Sequence, residues 1–118
     1  MIPLTDLCVS RELAERMAKL GFKPKTRFIW VTPNLRAIEE CHLSYIYETD
    51  LDGIDAPISS EIELPDLTNT FKDCGEWICD YYYANDKTQE QELYRFGANT
   101  EAEAKGLMWC HLKVNKLI

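Results

Sequence analysis

The sequence predicts an α+β fold: a four-stranded, mainly antiparallel sheet covered by N- and C-terminal helices in a two- or three-layer sandwich. Three observations carry this expectation. Helix signals stand at both ends of the chain, four segments of strand character lie between them, and most of the links are short. Short links favour hairpins, and hairpins are antiparallel.

Ser10 opens the first helix as its N-cap, and Leu13, Met17 and Leu20 recur at helical spacing as its buried stripe. Gly21 is the stop, with Phe22 packing back on Met17 in a Schellman arrangement, and Pro24 forbids continuation. Thr26 to Val31 (TRFIWV) is aromatic and β-branched and reads as a strand. Thr32-Pro33-Asn34 marks a turn. Leu35 to Cys41 reads either as helix, by composition, or as strand or irregular link, by position. His42 to Glu48 is a second strand, and Asp50 to Pro57 is a loop by composition. Ser59 or Ser60 caps a short helical segment ending before Pro65, and a polar connection leads on to Glu76.

Glu76 to Tyr83 (EWICDYYY) is the strongest strand signal, followed by a turn over Ala84 to Lys87. Glu90 to Phe96 is the fourth strand, broken by Gly97. The last helix opens on Thr100 and Glu103, spaced as a capping box, with Glu101 and Glu103 in its first turn and Lys113 and Lys116 near its end. Ala104, Leu107, Met108, Cys110 or His111, and Leu112 form its apolar stripe, and it docks onto the body by that stripe. Asn115 takes the left-handed stop, so that Leu117 and Ile118 fold back.

Three stretches carry a resemblance. They are CVSRELAERMAKLGFKPKTRFIW (Cys8 to Trp30), APISSEIELPDL (Ala56 to Leu67) and NTEAEAKGLMWCHLKVNKLI (Asn99 to Ile118). Together they resemble small hypothetical proteins encoded by prophages and other mobile elements of gut bacteria. The outline is also similar to the phage α-β-α sandwich domain, in which an Ala-rich helix follows the sheet. The matching residues are caps, stops and packing positions. The resemblance therefore implies a source and a scaffold, and it carries no activity onto any residue.

The 118 residues fit one domain, 1–118, and suffice to bury a core without staples. Thirteen basic against 20 acidic residues give a net charge of −7, which repels nucleic-acid phosphates and anionic membranes. No direct nucleic-acid partner and no membrane partner is expected; a protein partner, self or host or phage, is. The five cysteines, Cys8, Cys41, Cys74, Cys79 and Cys110, are odd in number, and no signal peptide precedes them. Reduced thiols and a cytoplasmic location follow. No apolar run approaches the length of a membrane span.

Three constellations are candidates for chemistry or binding. Cys41-His42, Cys74, Cys79 and Cys110-His111 offer zinc ligands or a Cys-His nucleophile pair, but lack CxxC spacing and any local catalytic signature. Buried packing of these small side chains is the plainer reading. Asp50, Asp52 and Asp55 alternate around Gly53 as in a calcium loop. Pro57 interrupts the pattern, and Ser59 stands where the bidentate Glu belongs, so a solvated acidic turn is favoured over a weak cation site. Trp77, Tyr81, Tyr82 and Tyr83 form an aromatic run, a candidate interaction surface. Alternation puts Trp77, Cys79, Tyr81 and Tyr83 on one face, with Ile78 and Tyr82 on the other. No catalytic residue, metal site or cofactor is assigned. The leading expectation is a non-catalytic accessory or protein-interaction module of a prophage or mobile element. The alternatives are an acidic DNA-mimic decoy that occupies a host protein and, last, a metal-dependent or cysteine enzyme.

Overall fold

The computed structural model describes residues 4–23, 26–31, 42–45, 53–66, 68–84 and 91–118. A single helical turn, α1 (Leu4–Leu7), precedes α2 (Arg11–Lys19). Strands β1 (Phe28–Val31), β2 (His42–Tyr45) and β3 (Gly53–Asp55) follow, then a 3-10 turn at Ser59–Glu61. The second half holds β4 (Thr68–Asp73), β5 (Glu76–Ala84), β6 (Gln91–Ala98) and α3 (Glu101–Val114). Among the described residues no helix is long and apolar enough to cross a membrane.

The fold is α+β and its strands pair antiparallel, but they do not form the expected four-stranded sheet. They form two three-stranded sheets, ordered β2-β1-β3 and β4-β5-β6. The expected strands β1-β2 and β5-β6 do not pair with each other, and each pair gains a third strand that composition hides. β3 lies inside the Asp50 to Pro57 stretch and pairs with β1, Trp30 opposite Ile54. It reads as loop because it is short and polar, and its glycine has a packing reason. A Cβ on Gly53 would lie 2.6 Å from the Trp30 carbonyl oxygen. β4 (TNTFKD) lies inside the stretch read as a polar connection. It joins β5 through the two-residue turn Cys74-Gly75, with φ of 50° and 82°. Positive φ at both positions is what a type I′ hairpin turn requires. The Gly97 break is also corrected. β6 runs on to Ala98, because Gly97 leaves room for the Glu76 side chain, which a Cβ there would strike.

The expectations on residues 32–41 and 46–52, including the Thr32-Pro33-Asn34 turn, Leu35 to Cys41 and the end of the His42 to Glu48 strand, fall outside the described residues. So does most of the Ala84 to Lys87 turn.

Both helices start on the expected caps. The Ser10 hydroxyl accepts from the Leu13 N–H at 3.3 Å, and the Thr100 hydroxyl from the Glu103 N–H at 3.2 Å. The Schellman stop of α2 forms as read: Phe22 N–H reaches Met17 O at 3.0 Å and Gly21 N–H reaches Ala18 O at 3.1 Å. At the end of α3 the left-handed position falls on Lys116 (φ 57°), one residue beyond Asn115. The Leu117 N–H then bonds Leu112 O at 2.8 Å and returns the Leu117 side chain to the core. The 3-10 turn is capped at Ile58, not at Ser59 or Ser60. There the Glu61 carboxylate accepts from the Ile58 N–H at 2.9 Å and from the Arg27 N–H at 3.0 Å.

The capping box at Thr100 is half formed. Glu103 does not return to Thr100; its Oε1 accepts from both the Ser10 N–H and the Ser10 hydroxyl, each at 3.1 Å. The carboxylate of one helix thus caps the start of the other, where the positive end of the α2 dipole favours it.

The closing helix is not a peripheral docking helix. Ala104, Met108 and Leu112 form one buried row with Cys79 and Tyr81 of β5. Ala102, Trp109 and Cys110 form another with Val9, Leu13, Ala14, Met17, Phe22 and Ile62, against which Trp30 and Ile54 of the first sheet also pack. The expected single stripe is two, because apolar residues nearly encircle α3, and such a helix is buried on both sides. A third cluster, Cys8, Phe28 and Ala56, seats the N-terminal segment on β1, where Val9 O accepts from Trp30 Nε1 at 3.0 Å.

Two predictions follow from these ends and caps. Glu103→Ala is expected to lower the unfolding free energy by about 1–2 kcal/mol, and Ser10→Ala by a similar amount. Combined, they cost somewhat less than the sum in a urea titration, because both remove the Ser10 hydroxyl–Glu103 bond, while the Leu13 cap and the Ser10 N–H bond are each lost in only one of them. Lys116→Gly is expected to raise stability by about 0.5 kcal/mol, read as a higher urea midpoint, by relieving a left-handed backbone that a Cβ disfavours.

Candidate functional site

The β4-β5-β6 sheet has two faces of opposite fate. Cross-strand register sets Thr70, Cys79 and Phe96 on one of them, and Tyr81 beside Tyr94. This inner face lies under α3: Cys79 is fully buried, Tyr81 is 9% exposed, and Trp77, Tyr94 and Phe96 pack against the same cluster. Tyr81 and Tyr94 stack with ring centroids 6.4 Å apart. The His111 ring of α3 sits 4.4 Å from Tyr94 and 5.3 Å from Phe96.

The outer face carries the residues in between. Reading from the β4-β5 turn, Asp73 pairs with Glu76, Phe71 with Ile78 and Gly97, Asn69 with Asp80 and Arg95, and Tyr82 with Leu93. No described element packs over it, and Tyr82 (51% exposed) and Leu93 (45%) stand side by side in solvent. Asp80 is 4% exposed although it belongs to this face. Arg95 covers it with a two-point contact, Nε to Oδ1 at 2.7 Å and Nη2 to Oδ2 at 2.9 Å. The hydrogen bond to Asp80, then its charge, push the Arg95 pKa further up.

The aromatic run is therefore divided. Trp77 and Tyr81 belong to the core side and Tyr82 to the open side, while Tyr83 pairs with Glu92 in register and its side chain lies outside the described residues. Of the aspartates weighed for a cation, Asp50 and Asp52 lie outside the described residues. Asp55 is held in β3 with the Thr26 hydroxyl 3.1 Å from its Oδ1. Sequence reasoning missed Phe71, Leu93, Asp80 and Arg95, and placed Ile78 on the Tyr82 face. Parity along β5 already separates Ile78 and Tyr82 from the core side; the partners on β4 and β6 follow only from register.

The described thiols are dispersed, with Cys110, Cys79 and Cys8 in three different clusters. Cys74 is exposed at the hairpin turn, and Cys8, Cys79 and Cys110 are buried. Burial, then the nearby Glu61 charge, push the Cys8 thiol up to about 12. Burial also raises Cys79 and Cys110, against smaller lowering effects from the Thr70 hydrogen bond and from Arg16 respectively. Buried, protonated thiols are poor nucleophiles. Cys110 faces the α2 side of α3 whereas its neighbour His111 faces β6. Cys41 lies outside the described residues, and only the backbone of His42 is described, in β2. Among the described residues no three His, Cys, Asp or Glu side chains are grouped to hold a metal ion.

An open groove of about 880 Å³ adjoins the turn end of the outer face and shares Glu76 and Gly97 with it. Asp6, Glu12 and Arg16 of the N-terminal segment line its other wall. No protein-family model matches the chain, and no curated protein or solved structure matches it either.

The central ion pair and the thiols each give an expected outcome. Arg95→Ala strands a buried carboxylate, so it should lower the melting temperature more than the double variant Asp80→Ala/Arg95→Ala does. Equal losses in the two variants would show that Asp80 is hydrated without its partner. Among the four described cysteines, brief iodoacetamide treatment of the native protein at neutral pH should modify Cys74, read by peptide mass spectrometry. Cys8, Cys79 and Cys110 should react only in denaturant. The Cys8 contribution to stability is complete below its unfolded value of 9.0 and is lost as pH rises toward about 12.

Proposed function

We propose that this protein is a non-catalytic protein-interaction module that docks its partner on the outer face of β4-β5-β6. The observation that carries the reading is the adjacent pair Tyr82 and Leu93, about half exposed on a face that no described element covers. Tyrosine and arginine, here Tyr82 and Arg95, are enriched at interface hot spots, and the exposed Leu93 beside them adds apolar area. The neighbouring Asp80–Arg95 pair is already formed, so part of the face is ordered before a partner arrives. Burial of Cys8, Cys79 and Cys110, which raises their pKa values, weighs against these three as nucleophiles of a cysteine enzyme.

A role as an accessory protein of a prophage or other mobile element in the cytoplasm rests on the resemblance of three sequence stretches and on the odd cysteine count. The acidic-decoy reading has less support. Mixed-sign pairs such as Arg11–Glu15, Asp80–Arg95 and Glu101–Lys105 interrupt the negative charge that a DNA mimic presents as a continuous stripe.

The test is a nuclease-treated pull-down from lysate of the native host, run in parallel with the unaltered protein and Tyr82→Arg/Leu93→Asp. The expected result is a stoichiometric protein retained by the former and lost by the latter. Retention by both, or by neither, counts against this face. A retained protein that DNA displaces from the same site would favour the decoy.

A further inference from the structure

We infer that the partner docked on this face is a protein segment that is basic at one end and apolar at the other, lying along β5 with its basic end over Asp73 and Glu76. The inference rests on the interaction-module reading and adds the chemistry of the partner. Its ground is the order of the outer face. At the β4-β5 turn stand the exposed carboxylates of Asp73 and Glu76. Next come the half-buried Phe71 and Ile78, then the Asp80–Arg95 pair, and at the far end the exposed Tyr82 and Leu93. From Glu76 to Tyr82 a strand rises roughly 20 Å, so charge and apolar surface are set apart along one axis.

The charges cancel only in part, because Arg95 is held by Asp80 and feels the Asp73 charge at longer range. Arg95 is the sole cation at these register positions, and Asp80 takes two of its N–H groups. Neither Asp73 nor Glu76 forms an ion pair among the described residues. The adjoining groove extends the negative end, adding Asp6 and Glu12 against the lone cation Arg16. Lysine or arginine side chains of a partner complete these carboxylates, while aromatic or aliphatic side chains cover Tyr82 and Leu93. A second copy of this chain fits less well, because face-to-face stacking opposes two surfaces of the same net sign, and the whole chain carries −7.

The experiment selects displayed random dodecapeptides against the immobilised full chain. Selected peptides are then titrated against the unaltered protein, Asp73→Lys/Glu76→Lys and Tyr82→Ser/Leu93→Ser. All four positions are solvent-facing, and circular dichroism checks that each variant folds. The expected peptides combine lysine or arginine with aromatic or aliphatic residues. They should bind each double variant about tenfold or more weakly and lose affinity to the unaltered protein as salt is raised. Peptides that need Tyr82 and Leu93 but are neutral or acidic, and that ignore the charge reversal, overturn the basic partner and leave the interaction module standing. Peptides indifferent to both variants, or no selected peptides, overturn both. A concentration-dependent dimer in sedimentation that Tyr82→Ser/Leu93→Ser abolishes replaces the basic segment with a second copy.

Discussion

The two-sided burial of α3 is the constraint on which the rest of the molecule depends. One row, Ala104, Met108 and Leu112, closes the β4-β5-β6 sheet, and the other, with Ala102, Trp109 and Cys110, closes the layer made with α2 and the first sheet. Neither sheet has a complete apolar core without it. Its small residues set how near the layers come. A Cβ on Gly106 would lie 2.7 Å from Leu13 Cδ2, so α2 and α3 approach at a contact that a larger residue would force apart. Trp109 packs edge-on to Phe22 in the same cluster, with centroids 5.2 Å apart.

Local chemistry was legible and non-local pairing was not. Ser10, Gly21-Phe22 and Thr100 announce helix ends because capping is settled within a few residues. Glu103 shows where that legibility stops. Its position relative to Thr100 spells a capping box, but its carboxylate has a better use at Ser10, 93 positions away in sequence. β4 escaped notice because its inward Thr68 and Thr70 are polar by composition yet pack at the edge of a sheet. β3 escaped because an edge strand of a few residues has no periodicity to show. The four-stranded expectation fails because the pairs β1-β2 and β5-β6 do not join, and each takes up one of the hidden strands as its third.

The candidate face was half legible. Alternation along β5 separates Tyr82 from Trp77 and Tyr81, and the helix needed to bury the latter pair was visible in the last residues. What could not be read is the lateral order, in which Arg95 of β6 lies across from Asp80 and Leu93 from Tyr82. That order depends on a register fixed by side chains on the hidden face. The buried Asp80 is a product of it, since only a guanidinium in reach makes a desolvated carboxylate tolerable there.

The place of α3 in the chain has a consequence for how the molecule is made. All six described strands precede it, so during synthesis the β4-β5-β6 sheet leaves the ribosome without the helix that buries its inner face, and α2 with the first sheet without one wall of their shared core. α2 likewise waits for the carboxylate at its N-terminus. The two larger clusters of the nascent chain therefore close only once residues 101–114 are released. Until then the apolar side of β5, with Cys79 and Tyr81, is open to chaperones or to wrong partners, and the interval between translation and closure is when this protein is most exposed to aggregation.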